Sequence, residues 1–149
     1  MGADLYLEPV YTENREQWEP LFYQAVMRRD KFPKGSRDAK VAQKEVERYF
    51  DKMHAQGYFR DPYNKWSVLW MLKQSWWQDV IPLLDNDARL SVAQTRKLLV
   101  MLEEQEPGFE ERIAGLRKKD QRYFRGRYRA LRKFLKEAID RNVPVRCSL

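Results

Sequence analysis

The stretch Gln121-Arg122-Tyr123-Phe124-Arg125-Gly126-Arg127-Tyr128-Arg129-Ala130-Leu131-Arg132-Lys133-Phe134-Leu135-Lys136-Glu137-Ala138-Ile139-Asp140 decides the fold class. At ~100° per residue, Phe124, Tyr128, Leu131, Leu135, Ala138 and Ile139 fall within an arc of about 100°. That is the apolar stripe of a helix lying on a core. Arg122, Arg125, Arg129, Arg132, Lys133 and Lys136 fall in a neighbouring arc, so six cations line one face over roughly 20 Å. Arg127 lies at the other edge of the apolar arc, where its stem covers apolar surface or its head meets an acid. The periodicity predicts a helix that ends at about Asn142, with an interruption near residues 118–120.

Upstream the same period recurs. Val92, Leu98, Leu99 and Leu102 follow Ser91 and Gln94, which form a capping box, and Pro107-Gly108 ends that helix. Ala42, Val46, Tyr49, Phe50 and Met53 mark a helix over about residues 38–56, stopped by Gly57. Trp18, Leu21, Phe22, Ala25 and Val26 mark another over about residues 14–29, with Asn14 and Gln17 as its capping box. Pro20 either kinks its first turn or moves its start to Glu19. Residues 58–64 read as an aromatic turn. Two short helical pieces follow, one turning Trp66, Leu69 and Trp70 inward, the other capped by Ser75 and Gln78. Ala3, Leu5 and Leu7 alternate as in a short strand ended by Pro9, and residues 143–149 are extended in character. The prediction is a mainly α fold: five or six helices in one compact domain over residues 1–149, with a short terminal β-strand pair.

Composition narrows the function classes. The chain has 149 residues, 43% of them hydrophobic, with five Trp, eight Tyr and seven Phe to fill a core. No apolar run approaches the ~18 residues of a membrane span, and no export signal opens the chain, so the expected compartment is the cytoplasm. Of the net charge of +7, the segment from Arg112 to Arg141 alone carries +9, twelve Lys or Arg against Asp120, Glu137 and Asp140; the remainder sums to −2. Such a single-sign face suits solvent, an acidic protein surface, an anionic membrane face or the phosphates of a nucleic acid.

Catalytic vocabulary is sparse. One histidine, His54, and one cysteine, Cys147, rule out the CxxC and HExxH spacings of zinc sites. GxxxxGK[ST], GxGxxG and GxSxG are absent. No catalytic residue, cofactor or metal is expected. The aromatics are a different matter. Seven of them, Tyr58, Phe59, Tyr63, Trp66, Trp70, Trp76 and Trp77, crowd a single segment with Arg60. Adjacent Trp76 and Trp77 diverge by about 100° on a helix, so burying both requires packing on two sides. One of them is expected at the surface, and Arg60, Tyr63, Trp76 and Trp77 are the candidate aromatic contact surface.

Met1-Gly2-Ala3-Asp4-Leu5-Tyr6, Tyr58-Phe59-Arg60-Asp61 and Ser75-Trp76-Trp77-Gln78-Asp79, with the ending Arg146-Cys147-Ser148-Leu149, resemble a group of small uncharacterised proteins of bacteria and their phages. The resemblance implies an accessory protein of phage or defence systems that acts by binding. Sparse catalytic motifs, an aromatic-rich centre and a single-sign helix face set the expected function as non-enzymatic binding, with a protein or a second copy of the chain as partner and no membrane. Two rivals stand beside it: nucleic-acid binding through the six-cation stripe, and sequestration of a nucleotide-like ligand among the aromatics.

Overall fold

The computed structural model describes residues 1–149. Its first element is β1 (Gly2–Tyr6), in which Ala3 and Leu5 are buried and their neighbours are not, as alternation demands. Helices α1 (Glu8–Asp30) and α2 (Arg37–Met53) follow, then β2 (Tyr58–Pro62) and the four-residue α3 (Val68–Met71). A π-helical turn (Trp76–Val80) runs directly into a 3-10 turn (Ile81–Leu83). The two-residue β3 (Arg89–Leu90), α4 (Val92–Glu104), α5 (Glu106–Ala114), α6 (Lys118–Asp140) and β4 (Val145–Ser148) complete the chain. The fold is mainly helical, at 65%, as the periodicity predicts.

The chain divides into two compact units. The first joins residues 1–7 to residues 59–149 and is built on a four-stranded sheet of order β2-β1-β4-β3. The expected terminal pair is its centre: β1 and β4 run antiparallel, with Leu5 opposite Cys147 and both side chains buried. β3 adds to the other side of β4, with Leu90 opposite Val145. β2 replaces the expected aromatic turn. Its inward positions are Phe59 and Asp61, and a carboxylate in the inward register hides the strand from an apolar pattern. Gly2 is required beside it, because a Cβ there would stand 2.6 Å from the Asp61 carbonyl oxygen.

In this unit α6 packs on α3, α4 and α5. Phe124, Tyr128, Leu131, Leu135 and Ala138 are buried, the arc that helical spacing selects. Phe109 meets Tyr128 at 5.2 Å between ring centroids, Trp66 stacks on Phe124 at 5.9 Å, and Phe134 meets Phe59 of β2 at 6.3 Å. Arg127, at the edge of that arc, lies over the Phe59 ring at 4.4 Å and donates to the Arg60 carbonyl. The Ser91 cap forms as expected, its Oγ accepting from the Gln94 amide at 3.2 Å.

The second unit, residues 8–58, is a helical hairpin of α1 and α2. Its start differs from expectation. Pro9 sits in the first turn of α1, where its missing amide costs nothing, and the helix begins at Glu8 and continues through Pro20. Asn14 is therefore no N-cap. It is buried inside α1, and its Nδ2 donates to the Lys52 and Met53 carbonyls at 2.6 and 3.1 Å. Those carbonyls lie in the last turn of α2, where that of Lys52 also accepts from the Ala55 amide at 3.3 Å. Farther along, Arg28 pairs with Glu45 at 2.8 Å, which fixes the two helices as antiparallel. Leu21 and Phe50, expected inside, are exposed.

Candidate functional site

Asp61 organises the central aromatics. Its side chain is fully buried and accepts four hydrogen bonds: Ser67 Oγ at 2.6 Å, the Val68 amide at 2.8 Å, the Leu69 amide at 3.3 Å and Trp76 Nε1 at 2.9 Å. A buried carboxylate is tolerated when its lone pairs are met by donors in this way. One strand residue thus anchors the start of α3 and the first residue of the π-helical turn. Ser75 supplies a second anchor: its Oγ accepts from the Trp77 and Gln78 amides, while its own amide donates to Asp79 Oδ2 at 2.6 Å.

These anchors decide which tryptophans reach solvent. Trp76, tied to Asp61, is 3% exposed with its indole N–H already committed; it lines the cleft that the neighbouring aromatics form without being an exposed ring. Trp77 is 59% exposed, which fulfils the expectation that the pair splits. Trp70, expected inside, is 61% exposed. With only four residues in α3, Val68, Leu69 and Leu72 take the core positions and Trp70 is turned out. Arg60 also departs from expectation. It is exposed on β2 with Nε 3.7 Å from Asp4, and it does not line the cleft that the other aromatics form.

That cleft, about 290 Å³, is lined by Tyr63, Trp70, Trp77, Asn64, Gln74 and Ser75 among others. The Tyr63 and Trp77 rings lie 5.8 Å apart. Tyr63 Oη and Gln74 Oε1 are screened from solvent, and the fold supplies neither with a hydrogen-bond partner. Burial, with the nearby Asp4 charge, raises the Tyr63 pKa above its ordinary value, so at neutral pH the phenol keeps its proton and is a donor. Trp70 also borders a second depression, of about 390 Å³, with Gln74, Gln78, Asp79 and Arg112. Arg112 donates from Nε to the Met71 carbonyl and leaves Nη2 without a partner. Exposed aromatic rings on the border of a cleft are a common feature of recognition sites.

The six-cation stripe of α6 is less uniform than the sequence suggests. Arg125 donates to both carboxylate oxygens of Glu110 in α5, and Arg132 donates to Glu103 at the end of α4 at 2.8 Å. The remaining four, Arg122, Arg129, Lys133 and Lys136, are exposed and form no ion pair within the chain. Glu103 and Glu110 lie outside the stretch whose spacing defines the stripe, so spacing alone cannot reveal their pairing.

The single histidine and the single cysteine are both packed within the fold. His54 Nδ1 lies 2.8 Å from the Phe50 carbonyl, and its ring packs against Phe50 and Tyr58. Cys147 is buried in β4, where burial pushes its thiol pKa up to about 12. A thiol is nucleophilic as the thiolate, so Cys147 in the native protein is expected to resist a thiol-specific chromogenic reagent at pH 8. It should react fully once denaturant is added; rapid labelling of the native protein would contradict the burial. No helix is long and apolar enough to cross a membrane. No protein-family model, curated protein or solved structure matches this chain.

Proposed function

We propose that the chain is a non-enzymatic binding protein that takes a segment of a partner protein into the Trp70–Trp77 cleft. The observation that carries this reading is the exposure of both rings, 61% and 59%, on the border of one cleft. Exposed tryptophans cost solvation and are the residue type most enriched where binding energy concentrates. The chemistry favours a peptide over a nucleotide. Anions are held by free amides at helix starts, and the amides bordering this cleft are committed: Val68 and Leu69 to Asp61, Trp70 to Ser67, Trp77 and Gln78 to Ser75. A role as an accessory protein of phage or defence systems rests on the sequence resemblance.

The test is selection from a random peptide library on the purified protein, counter-selected on a Trp70→Ala/Trp77→Ala double variant. Peptides enriched on the wild type alone, with a change in tryptophan fluorescence on binding, are the expected result. Equal enrichment on both proteins, or fluorescence that answers to a nucleotide and to no peptide, would sink the proposal.

A further inference from the structure

α6 carries a glycine that nothing inside the chain explains. Gly126 lies mid-helix and exposed, and a Cβ built on it would meet nothing within 4 Å. Its backbone is helical, so the left-handed freedom of glycine is unused. Glycine here weakens the helix relative to alanine, and the fold gains no close contact in return. The residues around it are specific. Arg122 is four positions before, Arg129 three after and Lys133 seven after, which places them on the same face. Lys136 continues the row, and the whole extends over about 21 Å at ~1.5 Å per residue.

Of the six cations of the stripe, these four form no ion pair within the chain. Two acids share this face at its far end, Glu137 four positions after Lys133 and Asp140 four after Lys136, but none interrupts it between Arg122 and Lys136; Glu137 pairs with Arg141, and Asp120 with Arg117. A merely solvated face would mix signs. Here a bare strip of backbone sits among unpaired positive charges, which suits an anionic chain lying close against the helix.

We infer that the Arg122–Lys136 face of α6 binds the phosphate backbone of a nucleic acid, with Gly126 admitting the closest phosphate. The row spans the length of several ~3.4 Å nucleotide steps of one strand, so consecutive cations reach successive phosphates. Recognition through phosphates alone is indifferent to base sequence. This surface is separate from the tryptophan cleft and does not depend on the cleft's occupant.

The experiment is equilibrium binding of a fluorescent 20-base-pair DNA duplex and the matching RNA duplex between about 50 and 300 mM salt. With four contacts, the log–log slope for DNA should be about −3.6, at ~0.9 per phosphate. Each of Arg122→Gln, Arg129→Gln, Lys133→Gln and Lys136→Gln should flatten it by about 0.9. Arg125→Gln, whose guanidinium is held by Glu110, should leave the slope unchanged. Gly126→Ala should raise the melting temperature yet weaken binding about threefold or more, the mark of a close approach rather than of folding. Three results overturn the inference: no duplex binding at about 50 mM salt, a slope that the four substitutions leave intact, or tighter binding to phosphatidylserine vesicles or to polyglutamate than to either duplex. An unchanged affinity in Gly126→Ala overturns the role of the glycine.

Discussion

Asp61→Ala is expected to destabilise the sheet-bearing unit by on the order of 4 kcal/mol, enough to leave it partly unfolded at 37 °C. The substitution strips the acceptor from four donors at once: Ser67 Oγ, two α3 amides and the Trp76 indole. Each buried donor left without a partner costs about 1–3 kcal/mol, reduced where the local backbone relaxes toward water. Asp61→Asn preserves the shape and one acceptor oxygen but turns an N–H toward donors, so it should fall between wild type and alanine. Chemical denaturation of the three proteins gives the comparison. An alanine variant within about 1 kcal/mol of wild type would mean that the four hydrogen bonds contribute little net.

The second large effect is a contrast between neighbours. Trp76→Ala removes a buried ring and should cost about 3–5 kcal/mol. Trp77→Ala, at an exposed ring, should stay within about 0.5 kcal/mol of wild type. The sign of the contrast follows from Asp61, which takes the Trp76 indole and so turns its neighbour outward. Equal losses in both variants would place both rings in the core and remove the cleft as a binding surface.

Much of the fold is legible where one physical rule acts alone. Phe124, Tyr128, Leu131 and Leu135 are buried because α6 is long and regular, so its 3.6-residue period survives intact. The terminal strands are legible because Ala3 and Leu5 alternate with less buried neighbours and residues 143–149 are extended in character. Legibility fails where tertiary partners override local pattern. Asn14 and Gln17 imitate a helix start, but Asn14 lies within α1 and its side chain donates to carbonyls at the end of α2. Asp61 and Pro62 suggest a turn, because nothing in β2 itself announces donors waiting in α3 and at Trp76. Trp70 is read as inward because a four-residue helix has no period to reveal which side it buries.

The candidate site is legible in the same uneven way. Divergence of adjacent helical positions is enough to separate Trp76 from Trp77, though it does not say which ring is outside. That Trp70 joins Trp77 at one cleft, and that Arg60 stays out of it, depends on how β2 and α3 are tied together. In α6, spacing reveals the cationic face but not the acids of α4 and α5 that claim Arg132 and Arg125.

The most direct test of the binding account is a calorimetric titration of a library-selected peptide into wild type and into the Trp70→Ala/Trp77→Ala double variant. Loss of two exposed anchor rings at a hot spot corresponds to at least ~2 kcal/mol, or about thirtyfold in affinity. The account predicts that loss with a melting temperature close to that of the wild type. An affinity unchanged in the double variant would contradict it.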